Sequence, residues 1–285
     1  MKYQKCLLAL GCIVTMFIAG CGGGSSSSKS GNNINGVFAD APVVGLTYSC
    51  GSTTGATAAG GAFTCPANTS VTFKVGGVTI CNAPAQAFMT PVSCAQANGD
   101  PSADASIPSV VATAQFVISI GTPTGTTPGS LGTLTITSAE LQAASAMSLD
   151  FSTATQEQLQ AAVSTVNPGQ TLVSPSAAED ELTGTVAANV AGSYSGSYSG
   201  NDSGTWTATI DNTGNVSGTY TSTGKGGTGA IAGALVNGTT YGGSAGSATW
   251  TGSVNTAKPS TSGKGPYLFS GSWTNPNGAS GSFTN

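Results

Sequence analysis

The side chains of this 285-residue chain that could do chemistry are eleven carboxylates, seven cysteines and a set of aromatic rings flanked by hydroxyls. Histidine and arginine are missing altogether, and every basic residue is a lysine. Without histidine there is no Ser-His-Asp or Cys-His relay and no histidine-bound metal. Without arginine there is no bidentate clamp for phosphate or carboxylate. A net charge of −4 cannot neutralise a phosphate backbone, so nucleic acid is not an expected partner. Carboxylate-pair chemistry stays formally open, because a glycosidase needs only two acids held about 5–10 Å apart. The acids are scattered, however. Their one cluster, Glu179-Asp180-Glu181, falls on a predicted helix, where a solvated face is the expected reading. The sequence therefore predicts a non-enzymatic protein with no catalytic residue, no metal and no cofactor.

The aromatic rings recur in one short pattern. SGTWT (203–207) returns as SGTYT (217–221), SATWT (247–251), SGSWT (270–274) and SGSFT (280–284). In a strand, residues two apart share a face. Each copy then turns a glycine or alanine and an aromatic one way, and its Ser and Thr the other. A glycine beside the ring leaves room for an aromatic from the next strand. Tyr198, Trp206, Tyr220, Trp250, Phe269, Trp273 and Phe283 are thus expected to form a core, since using them on a ligand platform would leave none. The competing reading makes Trp206, Trp250 and Trp273 ligand-facing, because rings with nearby hydroxyls hold sugars and a barrel mouth is a natural pocket. Turn signals at DNTGN (211–215) and VNGT (236–239) divide residues 192–285 into about eight strands. They would form an antiparallel meander or an eight-stranded β-barrel.

Upstream the period changes twice. Residues 35–95 alternate apolar and polar in short runs with glycine turns, the signature of a small β-sandwich. Residues 96–191 carry helical signals. Thr137 with Glu140, Thr155 with Gln158 and Ser176 with Glu179 have capping-box spacing. Leu141, Ala144 and Met147, then Leu159, Val163 and Val166, form narrow apolar stripes. Such helices cannot stand alone and should pack on the sandwich. IPSVVATAQFVISIG is apolar all round and reads as a buried helix or a strand. The expected fold is mainly β with a helical middle segment: a sandwich, then helices, then a C-terminal meander or barrel.

The N-terminus sets the compartment. Residues 1–20 have a short basic start and an apolar stretch too short to span a bilayer, as in a secretory signal. The IAGC that ends at Cys21 resembles a bacterial lipobox. The resemblance implies cleavage before Cys21, a lipid anchor on its thiol, and an outer-membrane destination, since Gly22 stands where a retained lipoprotein has aspartate. Residues 21–34, the lipidated cysteine and a Gly/Ser run, form a flexible tether. Cys50, Cys65, Cys81 and Cys94 remain for two disulfides in an oxidising compartment. Of three possible pairings, Cys50–Cys65 and Cys81–Cys94 bridge neighbouring segments and are preferred over a zinc site, whose spacings are absent.

GVFADAPVVGLTY, followed by TGATAAGGAFTC, resembles the transthyretin-like fold of carboxypeptidase regulatory domains. With VTFKVGGVTI and MTPVSC added, the stretch resembles the N-terminal part of adhesin-type bacterial surface lipoproteins. That resemblance implies a non-catalytic β module and favours helix for IPSVVATAQFVISIG. Related chains carry an acidic loop after that helix; here it is GTPTGTTPGSLG, without a carboxylate for calcium. The rhythm of SGTWTATIDNTGNVSGTYTS also resembles avidin-like barrels, from which no ligand-binding residue is carried over. The expected function is a lipid-anchored outer-membrane or cell-surface protein with a binding, adhesive or structural role and a surface-protein or glycan partner. The alternatives are a small-ligand or glycan carrier using the barrel, and more remotely a carboxylate-dependent glycosidase.

Overall fold

A computed structural model describes residues 33–126, 131–260 and 264–285. The expected signal segment, Cys21 and most of the expected tether lie outside the described residues.

Two small sheets face each other at the start. In the first, β1 (Asn33–Phe38) lies between an antiparallel β5 (Ala62–Pro66) and a parallel β8 (Phe88–Met89). In the second, β3 (Thr47–Cys50), β4 (Thr53–Ala56), β6 (Ser70–Val75) and β7 (Val78–Pro84) run in the order β4-β3-β6-β7. The two-residue period sets the facing: Val71, Phe73 and Val75 of β6 are buried, while Ser70 and Lys74 are exposed. Phe38 and Phe63 of the first sheet meet Phe73 of the second, with ring centroids 4.7 and 5.0 Å apart. The Cys50–Cys65 disulfide ties β3 to β5 and so joins the sheets. Cys81–Cys94 ties β7 to the first helix. These are the preferred pairings, and they leave no thiolate for zinc.

Five helices follow among the described residues. The first, α1 (Pro91–Ala97), is capped reciprocally by Thr90 and Ser93. The all-apolar segment is a helix, α2 (Pro108–Ile120), which starts on a proline and is too long for an ordinary buried strand. Its buried Gln115 donates to Gln156 Oε1 (3.0 Å) and the Val173 carbonyl (2.7 Å). Both α3 (Ser138–Ala143) and α4 (Gln156–Val166) open with the expected capping boxes, and Leu159, Val163 and Val166 are buried. In α5 (Pro175–Val190) the cap differs from expectation. Ser174, not Ser176, accepts the Ala177 N–H, because Pro175 takes the first helical position. The helical region also contributes strands. β10 (Leu134–Thr135) pairs with β2 (Val43–Val44) in parallel and with β9 (Thr122–Pro123) antiparallel.

The last third is a closed antiparallel barrel. Its strands are β11 (Gly192–Gly200), β12 (Gly204–Ile210), β13 (Asn215–Ser222), β14 (Thr228–Asn237), β15 (Thr240–Ala245), β16 (Ala248–Pro259), β17 (Tyr267–Thr274) and β18 (Ser280–Thr284). Each pairs with the next, and β18 returns to β11 with Tyr198 opposite Phe283. In β12 the alternation is complete: Gly204, Trp206, Ala208 and Ile210 are buried, and Thr205, Thr207 and Thr209 are exposed. The interior is thus aromatic and the outer faces of β11, β12 and β13 are hydroxylated, the reverse of a lipid-facing barrel.

One end of the barrel is closed by the preceding domain. Gln96 of α1 is buried; its Oε1 accepts from the Thr256 N–H and hydroxyl, both at 2.8 Å. Its Nε2 donates to Ala103 O (2.9 Å) and Val254 O (3.3 Å). Thr239 also donates to Ala103 O, at 3.2 Å, and Asn255 Nδ2 to Pro101 O. These polar contacts hold this end shut, although the buried Tyr241 hydroxyl has no hydrogen-bond partner. The opposite end, formed by the β11–β12, β13–β14, β15–β16 and β17–β18 turns, is the mouth.

Candidate ligand-binding site

The barrel aromatics divide into two levels. Near the sealed end Phe269, 2 % exposed, is the hub. Tyr194, Trp206, Tyr241 and Trp250 surround it edge-on, with centroids 5.7–6.1 Å away. Such edge-to-face pairs match the positive ring edge to the negative face. Burial, with the neighbouring Tyr241 and Tyr267, pushes the Tyr194 hydroxyl far above its ordinary range, and it donates to Val190 O at 2.8 Å. Tyr194 and Tyr241 were not among the expected core residues. Tyr194 sits four residues before Tyr198 on one strand, so the same two-residue period places it on the inner face.

Toward the mouth the interior does not close. A cavity of about 310 Å³ is walled by Trp206, Trp250, Phe269 and Phe283 below and by Tyr198, Tyr220 and Trp273 above. All seven expected aromatics belong to the core or pack against it, yet a space remains between them, and the glycines explain it. A Cβ on Gly204 would lie 2.8 Å from the Tyr198 ring, on Gly229 2.5 Å from the Tyr220 ring, and on Gly233 2.4 Å from Trp250. On Gly281 it would lie 2.7 Å from Trp273 Nε1. Tyr198, Tyr220 and Trp273 are each laid over the adjacent strand's glycine, and Trp250 reaches past Gly243 of β15 to Gly233 of β14, so the rings run along the wall instead of across the lumen. Eight strands enclose enough width for the space left between such rings to hold one small ligand.

The rim is polar. Asp202, in the β11–β12 turn, accepts through Oδ1 from the Ser203 N–H (2.8 Å) and Ser222 Oγ (2.9 Å). Its Oδ2 accepts the Tyr198 hydroxyl at 3.4 Å. Desolvation pushes its pKa up, but the bonds from Ser222 and Ser203, with the Lys225 ammonium, hold it below the usual carboxylate value. Lys225 shares the cavity lining with Asp202, yet the two form no close ion pair. Gly226 and Gly227 beside it have φ of 76° and 101°, which glycine adopts without strain, so the β13–β14 turn can fold back over the rim. Sequence reasoning missed Asp202. Its only signal is an acid in the turn that ends the Tyr198 strand.

All three ligand-facing candidates, Trp206, Trp250 and Trp273, line the cavity. The first two are 6 % exposed, so they serve the core and the cavity floor together. Trp206 Nε1 donates to Ser197 O at 3.3 Å and Trp250 Nε1 to Ser244 O at 3.2 Å, which fixes both rings. Cys50, Cys65, Cys81 and Cys94 are structural, and Cys21 lies outside the described residues.

The acidic cluster is not a uniformly solvated face. Asp180 is exposed, but Glu181 is buried, and its carboxylate accepts the Leu131 N–H at 3.2 and 3.3 Å. The helix turns this position inward, toward the wholly buried Asp40 between β1 and β2. Neither Asp40 oxygen has a hydrogen-bond partner. Burial and the Glu181 charge raise its pKa well above the ordinary value. Neither carboxylate lines the barrel cavity. Among the described residues no group of three or more Cys, Asp or Glu is placed to hold a metal. Compared with known proteins, the chain matches no family model, no curated protein and no solved structure.

Proposed function

We propose that this chain is a non-enzymatic, lipid-anchored binding protein of the bacterial envelope whose C-terminal barrel carries a small ligand. The observation behind the carrier reading is the aromatic cavity of about 310 Å³, open at the end away from the helices. Its size falls at the lower end of small-molecule pockets, roughly 300–1,000 Å³, and suits a single-ring ligand. The anchoring reading rests on the IAGC that ends at Cys21 and the Gly/Ser run behind it. An adhesive or structural role would need only the anchor and the sandwich; the cavity is what favours ligand carrying. The glycosidase reading loses support, because Asp202 is the one carboxylate on the cavity lining and the mechanism needs two.

The test is titration of the full-length protein with ring-sized probes: a methyl glucoside, phenol and choline. At least one should bind with a Kd tighter than about 1 mM. At 100 times its Kd it should add about 2.7 kcal/mol and raise Tm by about 5–10 °C. Ala248→Trp, which fills the mouth, should abolish binding and keep the parent melting temperature. Binding that survives this substitution would place the ligand elsewhere.

A further inference from the structure

The rings at the mouth and the carboxylate beside them narrow the ligand class, given the carrier reading above. We infer that the mouth is a seat for an organic ammonium ion, walled by Tyr198, Tyr220 and Trp273, with Asp202 as counter-charge. Tyr198 stands at 83° to Tyr220 and at 89° to Trp273, with centroids 6.2 Å apart in both pairs. A ring face attracts positive charge within ~6 Å of its centroid, and these three rings line one cavity together with Asp202. Tyr198 also donates a long hydrogen bond to Asp202 Oδ2, 3.4 Å, which ties this ring to the carboxylate. Asp202 Oδ1 is used twice, whereas Oδ2 receives only that long bond and keeps capacity at the rim.

Other ligand classes fit less well. Asp202 and Lys225 share the rim, so charge there favours neither sign, and the rings, whose faces attract cations and not anions, decide against an anion. A hard metal ion wants six or more oxygens, and here rings stand in their place. A sugar stacks on a broad open ring face, whereas these rings meet at right angles and form corners. An alkylammonium fills a corner with its methyl groups and spreads its charge over the ring faces.

The experiment compares choline with its uncharged isostere 3,3-dimethylbutan-1-ol, and with a methyl glucoside, on the full-length protein by calorimetry. Choline should bind about tenfold tighter than the isostere. Asp202→Asn, which keeps the shape, should weaken choline about tenfold and leave the isostere unchanged, at the parent melting temperature. The comparison of choline with its isostere on the parent protein needs no variant and stands if Asp202→Asn fails to fold. Equal binding of the isostere, or tighter binding of the glucoside, overturns the ammonium assignment and leaves the cavity as a ligand site. If none of the probes binds, both the assignment and the carrier reading fall.

Discussion

Trp206 shows how one side chain can belong to a core and to a site. Its indole touches Phe269 and Phe283 edge-on at 5.9 and 5.8 Å, and its other side faces the cavity. Trp206→Ala should cost about 3–5 kcal/mol, measured by chemical denaturation, because the vacated volume joins a space that cannot collapse. Thr207→Ala on the outer face should change stability by only about 0.5 kcal/mol. Asp40 poses a different problem. It is wholly buried with no partner, and its folded pKa is raised above the unfolded one. As pH rises from about 4, the unfolded chain loses this proton first, so stability falls until the folded pKa is passed. Asp40→Asn removes the charge and keeps the size. It should flatten that decline and leave the protein more stable than the parent at pH 7, as read from denaturation midpoints between pH 4 and 9. The sequence offered no hint of this. Asp40 and Ala41 form a turn, and turns are expected at the surface; here α5 lies against it, with Thr185 accepting the Ala41 N–H.

At the scale of elements, the SGTWT repeat is a device for laying rings on glycines. Gly233 lies opposite Gly243 in the β14–β15 pairing, and a Cβ there would fall 2.4 Å from Trp250 and 2.6 Å from Gly242 O. Gly233→Ala should therefore destabilise the barrel by about 1–3 kcal/mol and push Trp250 into the cavity, visible as a shifted tryptophan emission. The alternation, the eight strands and the use of glycine as a seat for a neighbour's ring were all legible, because each follows from a two-residue period and the absence of a Cβ. The capping boxes at Thr137 and Thr155 were legible for a similar local reason. What was not legible depends on contacts distant in sequence. Whether rings cross a lumen or line it is set by barrel width. The pairing of β10 with β2 joins segments some ninety residues apart, and the seal made by Gln96 depends on β16, about 160 residues later.

In the whole molecule, the disulfide-tied sandwich and its helices carry the barrel with its mouth pointing away from them. Cys21→Ala should convert a membrane-bound protein into a soluble or unprocessed one, and labelled fatty acid should no longer incorporate. Continued labelling would remove the lipid anchor from the proposal without touching the barrel. The claim on which the functional account turns is that the repeated aromatics enclose a working site. Its most direct measurement is a ¹H–¹⁵N spectrum of the full-length protein in detergent, with the three indole N–H signals followed as choline, phenol and methyl glucoside are added. Trp206, Trp250 and Trp273 all line the cavity, so at least one probe should move all three signals saturably with a single Kd. Three indole signals that stay unmoved through millimolar concentrations of every probe would contradict the account and leave the repeat as packing alone.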